Sequence, residues 1–356
     1  MPALQEFPIK LWATIVSKQA RSLTTQSLVD GDARGHALLR CAIAEYLGSA
    51  RGVRCTEAQV LVLASVQQGL DLATRLLLDE GDLAWCEDPG YAGAVAGFRA
   101  AGIAPCPIPV DEYGMDVAWA ERRHPTARMA YVTPAHQAPL GVSLSLPRRL
   151  TLLDWARRRK AWIFEDDYDS EYRYSGKPLP PLQSLDENDC VLYAGCFSKT
   201  LFPALRIAYL VIPVGFADAF AAARSVTSRY PPVLDQLVLA EFMREGHYAR
   251  HLRRMRQLYA ERRSLLVKLV NQRLANKLEV MNNATGLNLV CWLTQGLSQD
   301  ALLERCKSSG LAVHALSRYS AEWKRRQRDG LVLGFASMTA PAIRIAVGKL
   351  AGALDC

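Results

Sequence analysis

A lysine and an arginine stand seven residues apart in Phe197-Ser198-Lys199-Thr200-Leu201-Phe202-Pro203-Ala204-Leu205-Arg206, between two strongly apolar runs at 191–195 and 207–212. A neutral lysine amine condenses with an aldehyde, and desolvation and nearby cations favour the neutral form. A guanidinium grips a phosphate through two parallel hydrogen bonds. Taken alone, Lys199 reads as a solvated surface lysine, and two other stretches raise it above that. Ala161-Trp162-Ile163-Phe164-Glu165-Asp166-Asp167-Tyr168 closes an apolar run with three carboxylates and a tyrosine. Ligands of open α/β sheets sit at the carboxyl ends of strands, so an acid emerging there is placed to meet one. Asp166 and Tyr168, two apart on an extended chain, project to one side, and at most one or two of the three acids are expected to be solvated. Val60 to Ala64 leads through Ser65-Val66-Gln67-Gln68-Gly69 into a helix. Such a turn offers amide N–H groups and a positive dipole end to an anion, although an ordinary Ser65 cap explains the segment equally well.

An imine-forming lysine, two phosphate-holding features and a strand-end carboxylate together match the needs of pyridoxal 5'-phosphate (PLP). The lysine supplies a Schiff base, the carboxylate keeps the pyridine nitrogen protonated so that the ring withdraws electrons, and a tyrosine near the phenolic oxygen tunes the imine.

The elements that must carry these groups follow from periodicity. Residues 11–23 and 37–47 read as helices. From Val60 onward, apolar strands alternate with helices: strands at 60–64, 83–86, 103–110, 129–132, 161–164, 191–195 and 207–212, helices at 68–78, 92–101 and 147–159. That rhythm predicts an open, mostly parallel sheet covered on both faces. After Pro213 it stops. Helical stretches at 216–227 and 233–274 precede short strands at 287–292, 312–315 and 332–335 with helices at 299–308 and 340–354, a smaller α+β unit. The division expected is an N-terminal helical segment, 1–45, docking on the small domain, a large PLP-binding domain, 46–240, and a small C-terminal domain, 241–356.

Composition narrows the class. At 50% hydrophobic residues the chain buries a large core, and its charge of +8 is concentrated in stretches such as Arg250-His251-Leu252-Arg253-Arg254-Met255-Arg256, the solvated face of an amphipathic helix. Direct nucleic-acid binding by this chain is not expected. Nine cysteines without a Cys-x-x-Cys pair read as reduced core residues, not metal ligands. Neither a leader nor a membrane span is visible, so a cytoplasmic location is expected.

Six motifs run in one order along the chain: Phe7-Pro8 with Trp12, Glu87-Asp88-Pro89-Gly90-Tyr91, Thr133-Pro134-Ala135-His136-Gln137-Ala138-Pro139-Leu140-Gly141, Glu165 to Glu171, Phe197 to Leu201, and Leu333-Gly334-Phe335-Ala336. In them the chain resembles fold-type I PLP-dependent proteins of aminotransferase class I/II, and in particular the aminotransferase-like domain of MocR/GabR-type transcriptional regulators. The resemblance implies a Schiff base at Lys199, a phosphate partner in Arg206, Asp166 on the pyridine nitrogen and Tyr168 on the phenolic oxygen. It further implies Tyr91 stacked on the ring, Ser65, Val66 and Gln67 at the phosphate turn, and His136 or Gln137 approaching the phenolic side. A homodimer is implied as well. Ser65 stands where the family usually has a glycine, and three further positions depart from the pattern. Asp30 replaces a tyrosine that commonly reaches the neighbouring subunit's cofactor, Gly93 stands where competent members often carry an arginine, and Val332 falls on the arginine that clamps a substrate carboxylate. Arg318 is the one candidate substitute. The function expected is an aminotransferase acting on a small amino acid or amine through a Lys199 Schiff base, with an effector-sensing PLP domain whose DNA-binding domain is missing from this chain as the alternative. Absence of that domain favours a free-standing enzyme or an isolated fragment, and the lost clamp favours the sensor or an enzyme for a substrate lacking that carboxylate.

Overall fold

A computed structural model describes residues 1–29, 31–177, 179–281, 285–294, 298–320 and 328–355. Its helices are α1 (Ile9–Arg21), α2 (Ala37–Arg51), α3 (Val66–Leu77), α4 (Ala92–Ala100), α5 (Val117–Arg123), α6 (Leu146–Arg159), α7 (Leu182–Leu185), α8 (Ala217–Thr227), α9 (Val233–Arg244), α10 (His247–Arg273), α11 (Gln299–Ser308) and α12 (Ala340–Asp355). Its strands are β1 (Val60–Leu63), β2 (Leu83–Asp88), β3 (Ala104–Asp111), β4 (Gly114–Met115), β5 (Met129–Val132), β6 (Trp162–Asp167), β7 (Val191–Cys196), β8 (Ala208–Val211), β9 (Leu278–Val280), β10 (Asn288–Leu293), β11 (His314–Ala315) and β12 (Gly330–Gly334).

Eight strands form one sheet in the order β1-β8-β7-β6-β5-β2-β3-β4, and four form a second, β11-β12-β10-β9. The fold is the expected α/β, fold-type I architecture, with a large mixed sheet and a smaller antiparallel one. In the large sheet β3, β2, β5, β6 and β7 run parallel, while β8 is antiparallel to both of its neighbours, β7 and β1. Its central strands are apolar on both faces because helices cover both, as parallel sheets require. Leu61, Leu63, Phe164 and Leu210 pack with Leu70, Phe98 and Phe220 of α3, α4 and α8. On the other face Trp85 stacks on Trp155 of α6 with ring centroids 3.9 Å apart.

The stretch at 233–274 is two helices, not one. Glu245 N donates to Glu241 O and Gly246 N to Met243 O, and Gly246 then turns the chain with a left-handed φ of 71°, a conformation without steric cost only for glycine. The N-terminal segment lies on this pair and on the large sheet's edge: α1 packs on α9, and α2 on α9 and β1. Ala3 N donates to the Tyr259 hydroxyl at 2.8 Å, and the Phe7 ring meets Phe202 edge-on at 4.8 Å.

Candidate active site

Topology gathers the chemistry at one edge. Strands β2, β5, β6 and β7 point the same way, and two antiparallel steps through β8 make β1 point that way too. Their carboxyl ends therefore share an edge, which carries Glu87 to Tyr91, Thr133 to Gln137, Asp166 to Tyr168, Phe197 to Lys199 and Ser65 to Gln67. Strand β8 starts there, placing Arg206 just before it. The register is tight: Leu63 and Cys196 both pair with Ala208, and Asp166 pairs with Ala194.

None of the three acids of β6 is solvated; Glu165, Asp166 and Asp167 are 1%, 6% and 6% exposed. Pleating sends them to different partners. Glu165 accepts from the amides of Leu182 and Gln183, both at 3.0 Å, at the start of α7. Asp167 meets the Arg51 guanidinium at 2.7 Å and the Tyr193 hydroxyl at 2.5 Å. Asp166 faces the other way, and its Oδ2 accepts from the Tyr131 hydroxyl at 2.5 Å. Its Oδ1 is buried and has no partner among the described residues. Burial lifts this carboxyl to about 7 against the Tyr131 bond, with Asp167 and Asp169 pushing upward and Lys199 pulling down. A buried acceptor without a donor is destabilising, and a protonated pyridine nitrogen would be a donor able to satisfy it. On this observation the residues fit PLP.

Tyr168 and His136 meet at 3.0 Å, Oη to Nδ1, and the same Nδ1 lies 2.7 Å from Asp169 Oδ1. The carboxylate only accepts, so Nδ1 carries the hydrogen, and Tyr168 Oη stands toward it as an acceptor. The phenol's own hydrogen is thereby left to donate outward. Gln137 plays a different part. Its Nε2 donates to Pro89 O and Ala138 O, both at 2.8 Å, and its Oε1 accepts from Leu140 N at 3.0 Å, so its amide braces two loops against each other.

At the turn after β1, Ser65 Oγ accepts from Gln68 N at 3.1 Å and Gln68 Oε1 from Ala64 N at 2.8 Å. The cap is real. It leaves the amides of Val66 and Gln67, which as first-turn groups have no intrahelical acceptor. Gln67 itself reaches sideways, Nε2 to Gly93 O at 3.0 Å. Arg206 is exposed with φ 51°, and no carboxylate pairs with it among the described residues.

The Tyr91 ring stacks on Tyr131 at 6.1 Å, and Tyr131 on Phe164 at 5.7 Å. Tyr91 folds back over Gly93, whose Cβ position its phenol occupies. Val332 is 4% exposed and packs with Val110, Leu140, Val290 and Leu316 between the two sheets. Arg318 lines a neighbouring cavity of about 500 Å³ beside Glu87, Asp88 and Arg99. Asp30 lies outside the described residues.

Sequence reading gave no role to Tyr131, Thr133, Asp169 or Arg51, although Thr133 and Asp169 stand in its motifs. Thr133 Oγ1 donates to Glu87 Oε2 at 2.6 Å, and Glu87 is lifted to about 7 by burial. Only the register of β5 on β6, which pairs Tyr131 with Phe164, brings Tyr131 beside Asp166.

These raised carboxyls set a pH response. Glu87, Glu165 and Asp166 ionise near 7 when folded, chiefly because burial penalises the charge, and at about 4 when unfolded. Between those values the folded chain holds the extra protons, so stability falls as pH rises through the window and levels off above it. Urea midpoints of cofactor-free protein at pH 5 and pH 8 should show this loss, and Asp166→Asn should show a smaller one. Equal pH dependence in the two proteins would exclude Asp166 as a contributor.

Comparison with known proteins agrees with this geometry. The family model "Aminotransferase class I and II" matches residues 13–350. The chain is 40% identical over 352 residues, 99% of its length and 71% of the relative's, to the probable rhizopine catabolism regulatory protein MocR of Rhizobium meliloti. It is 25% identical over 358 residues, 99% of its length and 85% of the relative's, to aromatic-amino-acid aminotransferase 1 of Thermococcus litoralis. Among solved structures, the α-aminoadipate aminotransferase LysN of Thermus thermophilus, complexed with N-(5'-phosphopyridoxyl)-L-leucine, superimposes with a TM-score of 0.89 at 28% identity, covering 100% of this chain and 90% of that one. With β-strand ends, buried acid and family model in agreement, the chain belongs to the aminotransferase class I and II family and its cofactor is pyridoxal 5'-phosphate.

Proposed function

We propose that the chain is the amine-sensing, PLP-binding module of a MocR-type transcriptional regulator, bonded to its cofactor through Lys199 and responsive to a small amino compound. PLP supplies an aldehyde carbon that amines condense with and a ring that withdraws electrons. Asp166 Oδ1 would accept a hydrogen bond from the cofactor's protonated ring nitrogen. Tyr168, held by His136 and Asp169, would donate to the cofactor's phenolic oxygen. Arg206 and the Val66 and Gln67 amides would hold its phosphate, and Tyr91 would pack against the ring. Lys199 Nζ, the amine that would carry the cofactor, would also be the proton acceptor when an amine binds.

What carries the sensing reading is Val332. A carboxylate clamp needs a guanidinium with room for a bidentate partner, and this position is instead filled by apolar packing between the two sheets. Gly93 lies under the Tyr91 ring, so the second place for an arginine is closed too. The 40% identity to a probable regulatory protein over 99% of the chain points the same way. The second reading, amino-group transfer, is favoured by the complete ring-binding set and by the aminotransferase relatives; it requires a ligand that needs no arginine clamp.

One experiment separates them. Loaded protein is mixed with a panel of amino acids and simple amines while the visible absorbance band is followed. Sensing predicts a saturable band shift that reverses when the amine is dialysed away. Accumulation of pyridoxamine 5'-phosphate, chemically assayed, would make the protein an aminotransferase. A band indifferent to the whole panel would exclude both.

A further inference from the structure

Away from the cofactor edge, a cleft of about 510 Å³ opens between the end of α2, residues 170–176 and the first turns of α10. Arg51, Arg173, Arg253 and Arg256 line it. We infer that this cleft is a second binding site, for a small phosphate monoester.

The charges of its wall are unbalanced. Arg51 is matched by Asp167, but Arg173 and Arg256 reach only uncharged oxygens, Ser143 Oγ at 3.1 Å and Glu171 O at 2.9 Å. No carboxylate pairs with Arg173, Arg253 or Arg256 among the described residues. Three guanidinium groups around one concavity repel each other unless an anion joins them, and their planar forks suit phosphate oxygens. The acid in the wall does not cancel them. Glu171 Oε1 accepts from the Tyr46 hydroxyl at 3.0 Å, and burial with the nearby Asp167 charge lifts this carboxyl to about 7. Burial therefore weakens the negative charge that this carboxyl contributes to the wall. Its Oε2 is buried without a hydrogen-bond partner among the described residues, while the Ser170 hydroxyl turns to Asp167; both residues line the cleft. A compact ligand inside the cavity can meet this recessed carboxyl together with the arginines, whereas a nucleic-acid backbone crossing the rim would touch only the exposed Arg253 and Arg256.

The site is distinct from the cofactor's phosphate seat. Asp166 and Asp167 leave β6 on opposite faces, one toward the cofactor and the other toward Arg51. The inference stands whether or not PLP is bound at Lys199.

The test is calorimetric titration of PLP-loaded protein, its phosphate seat already filled, with ribose 5-phosphate, using ribose as the control. Saturable binding of one ribose 5-phosphate per chain is expected, with none of ribose. The double variant Arg253→Ala/Arg256→Ala should bind about a hundredfold more weakly, roughly tenfold for each charge-assisted hydrogen bond removed. Arg254→Ala, on the same helix but paired with Glu6, should bind as the wild type does. Thermal midpoints of the variants verify folding. If PLP does not load, the same titration on cofactor-free protein carrying Arg206→Ala decides the question by itself. Absence of binding, or equal binding by the double variant, overturns the inference. So does a duplex DNA that binds with sensitivity to Arg253 and Arg256 where ribose 5-phosphate does not, which would make the cleft a nucleic-acid contact.

Discussion

Lys199→Ala should abolish the covalent visible band of PLP while leaving weaker, non-covalent cofactor binding. Lys199 follows β7 at the edge where Asp166 and the α3 turn also end, and it is near enough to Asp166 to pull that carboxyl's proton affinity down. No other lysine lies in the segments that end at this edge. Removing it takes away the lysine amine that would condense there, but the proposed ring-nitrogen acceptor, first-turn amides and Arg206 remain, so cofactor is retained with reduced affinity. Lys199→Arg should behave like the alanine variant, because a guanidinium keeps the charge but does not form the bond. Added methylamine should restore part of the band in the alanine variant, since the missing part is then a free amine. Absorbance spectra before and after dialysis check all three, and an undiminished band in Lys199→Ala would place the covalent bond elsewhere.

Arg51→Met should destabilise the fold by about 3–5 kcal/mol, the usual cost of leaving one partner of a buried ion pair uncompensated. The Arg51 and Asp167 side chains are 8% and 4% exposed and 2.7 Å apart. Burial pushes the Asp167 carboxyl upward, but the Arg51 charge and the hydrogen bonds from Ser170, Tyr193 and Arg51 outweigh it and hold Asp167 below the ordinary carboxylate range. The pair ties α2 to the end of β6, one residue from Asp166. Without it the chain buries a lone charge or protonates Asp167. Arg51→Met combined with Asp167→Asn should recover part of the loss, because the second change removes the charge instead of stranding it. Urea unfolding of the single and double variants measures both. An additive double variant would mean that the ion pair contributes little.

Much of the site was legible because strand-end chemistry leaves local marks. Apolar runs that end abruptly in Asp166, Lys199 or Ser65 are visible in a string of letters, and parallel strands must bring their carboxyl ends to one edge. The α3 turn was read two ways, and the structure shows the cap, Ser65 Oγ accepting from Gln68 N, while the amides of Val66 and Gln67 have no intrahelical acceptor, as the proposed phosphate seat requires. Less visible was the fate of the acids of β6. Their burial depends on Tyr131, Arg51 and the α7 amides, which arrive from positions 35 residues before Asp166 and 116 before Asp167, and from 17 and 18 residues after Glu165. No periodicity encodes such pairings.

By itself, then, the sequence determined the α/β class, the order of the elements and the lysine, acid and arginine that we propose hold PLP, because each depends on residue type and short-range spacing. Only the tertiary structure decided which His136 and Gln137 atoms face the site and which brace loops. It also decided that Val332 and Gly93 are closed by packing, and that four arginines from three separate segments converge on a second cleft. Those outcomes depend on how sheets, helices and loops far apart in the chain are brought together, and a carboxylate's or guanidinium's chemistry is set by what it touches.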